Sequence, residues 1–242
     1  MKIIKLNAIE STNSFLKDLV NRSECEHFTV VITDHQTHGR GQRETKWVTE
    51  ANKNLTFSVL INELNVDASN HKYLNFAVSL AVYQTLCEEN IPHLKIKWPN
   101  DIMSVSDKIC GILIENQLKG SHIHSSIVGI GLNVNQVDFP KELKKVSSLK
   151  KITKRDFQID YLLKRILSNL KNTLETLNKN EFSTLEKAYL EVLYKKDIAS
   201  MFEDQNRNPF MGIIRNISKD GNVVIELENG ESKEFGLKEV KL

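Results

Sequence analysis

Five short runs rich in Val, Ile and Leu, at residues 28–33, 55–61, 94–98, 109–115 and 123–134, constrain the fold more than any other feature of this chain. Runs of this length with β-branched or alternating apolar residues read as strands, and several of them must pair in one sheet. Between them, residues 73–86 carry Leu74, Ala77, Val78, Ala81, Val82 and Leu86 at helical spacing. Residues 12–20 open with capping-type side chains ahead of Phe15, Leu16 and Leu19. Helices therefore interleave with strands, and the expected class is α+β with a mixed sheet.

From 156 to 178, the positions Ile159, Leu162, Leu163, Ile166, Leu167, Leu170, Leu174 and Leu177 trace a long amphipathic helix, and residues 182–194 read as a second. After about Lys196 the texture changes. Short apolar runs at 211–217, 223–227 and 235–240 are separated by Asp220-Gly221-Asn222 and Glu228-Asn229-Gly230, which are tight-turn sequences. This tail reads as a small antiparallel β-barrel. A length of 242 residues, set against about 150 per domain, agrees with a main domain over 1–195 and a small one over 196–242.

Apolar residues make up 40% and charged residues 26% of the chain, which excludes a disordered or collagen-like protein. Lys and Arg number 33 against 31 Asp and Glu, so net charge supplies no general field for nucleic acid. Cys25, Cys87 and Cys110 lack any C-x-x-C spacing, so neither a disulfide framework nor a cysteine zinc site is indicated, and a reducing cytosol fits best. The first residues do not form a signal peptide, and no apolar stretch approaches the ~20 residues of a membrane span. The expectation is a soluble cytoplasmic protein without membrane contact. Residues 141–155 hold seven basic residues and one acid, read as a solvated loop, with a docking patch for an acidic partner as the alternative.

Four segments could carry chemistry. Gln36-Thr37-His38-Gly39-Arg40-Gly41-Gln42-Arg43, closing with Lys46-Trp47, follows a strand. Its glycines let backbone N–H groups approach an anion that arginine can neutralise, although the Walker A spacing is absent. Taken alone it is equally well a surface turn. In Lys97-Trp98-Pro99-Asn100-Asp101 a strand runs into a proline and two polar side chains, and a plain strand end is the bland reading. Lys108 opens the apolar run Ile109-Cys110-Gly111-Ile112-Leu113-Ile114-Glu115, where a strand-edge lysine is usually only solvated. Gly129-Ile130-Gly131-Leu132-Asn133-Val134-Asn135 places two glycines inside a strand, which suggests the close approach of a ligand or a bulge.

Together with Glu10-Ser11-Thr12-Asn13, these segments in this order resemble the biotin protein ligase family, over about residues 1–195 and into the tail. The resemblance implies a catalytic domain like the class II aminoacyl-tRNA synthetases and biotin synthetases, followed by a C-terminal barrel of the Src-homology-3 type. It implies a ligase that converts biotin and MgATP to biotinoyl-5′-AMP and then biotinylates one lysine of the biotin carboxyl carrier domain of acetyl-CoA carboxylase or a similar enzyme.

By the same resemblance, biotin is held by Ser11, Thr12, Asn13, Gln36, Gly39, Arg40, Gly41, Gln42, Lys108 and Gly111, with Gly111 opening the strand backbone to it. ATP is held by Arg40, Arg43, Trp47, Asn100, Asp101, Lys108 and Asn133. Trp47 would cover the adenine, Asn133 would bond its edge, and Asn100 and Asp101 would organise ribose, phosphates or Mg²⁺. Lys108, Arg40 and Asp101 are the catalytic set, with Asp101 the candidate metal ligand. Gln42 and Glu44 depart from the usual loop: Gln42 brings no charge, so Arg40, Arg43 and Lys46 share that task, and Glu44 adds a negative charge beside an anionic ligand.

Some relatives carry an N-terminal winged helix-turn-helix, but here the first motif begins almost at once. A monofunctional ligase without specific DNA binding is therefore expected, and a homodimer through sheet edges is admitted. A lipoate or octanoyl ligase and a catalytically silent biotin-binding module are the rivals. His122 and His124 alternate on one strand face, where solvent exposure outweighs metal ligation without a third ligand. His35 and His38 read as surface loop residues, and Cys110 as a core filler.

Overall fold

The computed structural model describes residues 1–42, 45–62 and 64–242. Seven strands form the main sheet: β1 (Ile3–Ile9), β2 (Val30–Gln36), β3 (Leu55–Asn62), β4 (Leu94–Lys97), β5 (Asp101–Ser104), β6 (Asp107–Lys119) and β7 (His122–Leu132). Their order is β1-β2-β3-β7-β6-β5-β4. Among these strands the β1–β2 pair is parallel, because helix α1 (Thr12–Arg22) carries the chain back between them, whereas β4 to β7 follow one another as antiparallel hairpins and β3 pairs antiparallel with β2 and β7. The sheet is mixed, as expected.

Strand alternation gives the two faces different fates. On one, Phe57, Val59, Val128, Ile130 and Leu132 join a large core with α2 (His71–Glu88), α4 (Ile159–Asn178) and α5 (Phe182–Glu191). Helix α2 is apolar on most sides because it lies between the sheet and its neighbouring helices. On the opposite face Leu16 of α1 packs on Val31, Leu60 and Ile127 in a much smaller cluster. Helix α1 covers only part of that face, and the rest is left for a cavity.

The C-terminal strands β8 (Ala199–Asp204), β9 (Pro209–Ile217), β10 (Val223–Leu227), β11 (Ser232–Phe235) and β12 (Val240–Lys241) form a second, antiparallel sheet in the order β11-β10-β9-β8-β12. Phe202, Ile214, Val223, Ile225 and Phe235 continue the large core of the main sheet. Trp98 Nε1 donates to the Gly221 carbonyl at 2.9 Å, and Lys72 Nζ donates to Ser218 O at 3.1 Å and pairs with Glu186 at 2.7 Å. The turn 218–221 is thereby bolted to α2 and α5.

Three differences from the sequence reading have local causes. The apolar run 235–240 is not one strand: Glu239 N–H donates to Gly236 O at 3.0 Å and Gly236 N–H to Glu239 Oε2 at 2.8 Å, closing a turn between β11 and β12. Within 141–155, residues Leu149–Thr153 form a short helix α3, capped by Ser148 Oγ accepting from Lys151 N–H at 3.1 Å. The segment Lys97-Trp98-Pro99-Asn100-Asp101 is the turn of the β4–β5 hairpin, in which Lys97 pairs with Asp101, rather than the end of a strand. Among the described residues no helix is long and apolar enough to cross a membrane.

Candidate active site

A cavity of about 580 Å³ opens on the sheet face beside α1, between that face and the second sheet. Ser11, Thr12, Asn13, Gln36, Arg40, Gly41, Gln42, Trp47, Asn100, Asp101, Lys108 and Gly111 all line it. Residues far apart in sequence and selected only by motif thus meet at one place. Gly39 and Asn133 do not line it, and Arg43 and Glu44 lie outside the described residues.

One wall is a chain of buried side chains bonded to each other. Gln36 Oε1 accepts from Thr12 N–H at 2.8 Å and from Thr12 Oγ1 at 3.1 Å. Ser58, fully buried on β3, directs its single hydroxyl proton toward Thr12 Oγ1 at 2.7 Å and Asn13 Oδ1 at 2.5 Å. Asn13 Nδ2 donates to Glu115 Oε2 at 2.8 Å, and the same oxygen accepts from Arg40 Nη2 at 2.7 Å. Ser11 caps α1, its Oγ accepting from Ser14 N–H at 3.4 Å, so the cap sits in the wall for a structural reason as well. Gly129 faces Asn13, and a side chain there would collide with the amide.

The floor explains the remaining glycines in strands of the main sheet. Gly111 and Gly131 are direct cross-strand partners on β6 and β7. The Trp47 indole lies against both: a Cβ on Gly131 would come within 2.6 Å of Trp47 Nε1, and one on Gly111 within 3.2 Å of Trp47 Cζ3 and Lys108 Nζ. The groups that lie against Gly111 and Gly131 in this structure are side chains of the protein itself, Trp47 and, at Gly111, Lys108. Trp47 Nε1 is buried without a hydrogen-bond partner among the described residues. The loop reaches this position as a small hairpin, with Trp47 N–H donating to Gly39 O at 2.9 Å and Gly41 N–H to Thr45 O at 2.7 Å. Gly39 is buried behind the loop, where a Cβ would strike Trp47 O and Gln36 Nε2.

The opposite wall is cationic. Lys108 Nζ pairs with Asp101 Oδ1 at 2.7 Å and stands 5.6 Å from the Trp47 ring centroid. Lys97 donates to Leu242 O at 3.0 Å, and burial holds its ammonium below the usual lysine pKa while Asp101 opposes that shift. The second sheet adds Arg207, Lys238 and Lys241, together with Glu203 and Asp204. None of these was selected from sequence, because nothing local marks them. Asn100 Nδ2 bonds Ile112 O, while Pro99 O accepts from Asn75 Nδ2 at 2.6 Å and Tyr189 Oη at 3.3 Å, so helices α2 and α5 fix the hairpin that presents Asp101.

Asn133 Nδ2 is taken up by Ser147 O at 3.0 Å, and its Oδ1 is buried without a partner among the described residues. His122 and His124 are exposed, as expected, and His122 Nε2 meets Asp67 Oδ1 at 3.0 Å. Cys110 is fully buried and burial pushes its thiol pKa up, in keeping with a core filler. Among the described residues no group of three or more His, Cys, Asp or Glu side chains could hold a metal by itself.

A cavity with a buried amide-and-hydroxyl wall facing a cationic wall suits a small acid that is brought against a phosphate. The bifunctional ligase/repressor BirA of Bacillus subtilis is 33% identical over 148 residues, 60% of this chain and 45% of that protein. The biotin--[acetyl-CoA-carboxylase] ligase of Mycobacterium tuberculosis is 30% identical over 145 residues, 57% of this chain and 52% of that one. The chain thus spans about half the length of the curated relatives it matches. The biotin protein ligase of Aquifex aeolicus, solved in complex with biotin and ATP, superposes with a TM-score of 0.81 at 27% identity, over 99% of this chain and 97% of that one. The model of the biotin/lipoate A/B protein ligase family matches residues 6–133, more than half of the sequence, and the chain belongs to that family.

Proposed function

We propose that this protein is an ATP-dependent ligase that activates biotin as biotinoyl-5′-AMP and transfers it to a lysine of the biotin carboxyl carrier domain of acetyl-CoA carboxylase or a similar enzyme. The observation that carries this reading is the pairing, in one cavity, of the bonded wall Gln36–Thr12–Ser58–Asn13 with the Lys108–Asp101 pair and Arg40.

The chemistry follows from charge. In the first step a carboxylate oxygen attacks the α-phosphorus of ATP and pyrophosphate leaves, so two anions must be brought together. Lys108 and Arg40 supply cations, and Ser11, Gly41, Gln42 and the Gln36 amide supply polar contacts for the acid. Gln36 Nε2 has no partner among the described residues and is available to a ureido oxygen. Trp47 offers a face for the adenine. In the second step the carrier lysine nitrogen forms the amide, the acyl–phosphate bond breaks, and AMP leaves while the amine loses a proton.

Mg²⁺ fits as an ion delivered on the ATP phosphates and held by Asp101, since Mg²⁺ commonly takes one or two carboxylates plus phosphate oxygens and water. When bound it would supply neutralising charge at the phosphates. Asn100 acts through the placement of Asp101, and Asn133 would serve an adenine edge only through its unpartnered Oδ1.

We read residues 1–195 as a catalytic domain of the class II synthetase type and 196–242 as a small barrel of the Src-homology-3 type. The separate five-stranded sheet beginning at Ala199 supports that division. Strand β6 pairs with β5 only through residues 107–111, so residues 113–119 offer an edge for the carrier by strand addition. A homodimer would be the competing use of that edge.

The test is pyrophosphate release from ATP by the purified chain. Release that requires biotin and is not supported by lipoate or octanoate is the expected result. Biotin binding with no release would replace this reading by the silent module, and release with lipoate instead would make the chain a lipoate ligase.

A further inference from the structure

Glu115 joins the loop to the pocket, and nothing above gives it a part in the reaction. Its Oε2 accepts from Arg40 Nη2 at 2.7 Å and from Asn13 Nδ2 at 2.8 Å. Asn13 is itself buried, with Oδ1 2.5 Å from Ser58 Oγ and Nδ2 turned to Glu115. Turning that amide over would set Oδ1 against the Glu115 carboxylate, so the network permits one orientation. Glu115 is therefore held at a fixed point by a residue that cannot rotate, and Arg40 docks on it.

The side chains of Arg40 and Glu115 are 43% and 27% exposed. An ion pair so open to solvent adds little to stability. Its geometric consequence is larger, because a guanidinium on a hairpin loop is a long lever and the carboxylate defines where its charge stands at the cavity wall.

We propose that Glu115 is a positioning residue: it sets Arg40 and Asn13 relative to one another, and so prepares the loop for the carboxylate of the acid substrate. This rests on the ligase reading above. A structural strap would affect folding and both substrates alike, whereas a positioning carboxylate acts first on the acid, through Arg40 and Asn13.

The experiment uses the full chain as wild type, Glu115→Gln, Arg40→Ala and the double variant. Initial rates of pyrophosphate release are measured against biotin and ATP separately, and biotin binding without ATP by calorimetry. Loss of one charge-assisted contact is expected to raise the KM for biotin by about five- to tenfold in Glu115→Gln. The KM for ATP should rise less than that for biotin, and the larger part of the effect should disappear once Arg40 is gone.

Glu115→Asp keeps the charge but withdraws it by one methylene, and it should raise the same constant if the Gln variant does not fold. An unchanged KM for biotin, an equal rise in both KM values, or a full effect persisting in the Arg40→Ala background would overturn the proposal. Wild-type protein that neither binds nor turns over biotin would overturn the ligase reading and this inference with it; active wild type with indifferent Glu115 variants removes the inference alone.

Discussion

The two walls of the cavity are built on different principles. The α1 wall is dry and self-bonded: Thr12, Asn13 and Ser58 are almost wholly buried and occupy one another's hydrogen-bonding groups, leaving few orientations open. The facing wall is a set of half-open charges, Lys108, Asp101, Lys97 and Arg207, brought in by a hairpin and by the second sheet. In the proposed reaction the first arrangement would recognise a fixed shape, and the second would supply charge where negative charge comes and goes, which a rigid neutral wall could not do.

Breaking the charged wall should cost most. Lys108→Ala is expected to slow adenylation by about a hundredfold or more, the scale of losing one stabiliser of transition-state charge. A near-wild-type rate in single-turnover assays would remove Lys108 from that role. Trp47→Ala tests the floor between the walls. Loss of a stacking surface predicts ATP binding weaker by about tenfold, with biotin affinity less affected. Unchanged ATP affinity in calorimetry would take the indole out of the adenine site.

Ser58→Ala tests the bonded wall. Removing a buried donor that serves Thr12 and Asn13 should lower stability by about 1–3 kcal/mol and weaken biotin binding, with kcat for bound substrate largely retained. Denaturant unfolding together with biotin calorimetry separates the two effects. At the bottom of the scale, His122→Ala removes an exposed contact to Asp67 and should leave stability within about 0.5 kcal/mol and activity unchanged. A large loss there would mean that the histidine pair has a use the cavity does not account for.

The same contrast explains what could be read from sequence. Contiguous motifs such as residues 97–101 and 108–115 are weak singly and point to a site only as an ordered set, and both line the cavity. Ser58 is one serine in an apolar strand, and its importance lies in two partners more than forty residues away. Arg207, Lys238 and Lys241 reach the site only because turn 218–221 docks on Trp98 and Lys72, a tertiary event without local signature.

Strands follow the same logic. The runs at 55–61 and 123–134 are buried in mid-sheet and strongly apolar, so they were legible. No strand is legible at Ile3–Ile9, since β1 is a half-exposed edge with lysine and asparagine, or at Asp101–Ser104, which is four residues long. Ala199–Asp204 is likewise hard to read, because most of its residues are not buried. Gly131 signalled that something approached the strand, but only the folded loop identifies it as Trp47.

The most direct test of the account is mass spectrometry of a purified apo carrier domain incubated with this protein, biotin and MgATP, beside reactions that omit ATP or replace biotin by lipoate. The account predicts a biotin-sized adduct on one lysine in the complete reaction alone. An unmodified carrier in the complete reaction, despite measurable biotin binding by the protein, would contradict it.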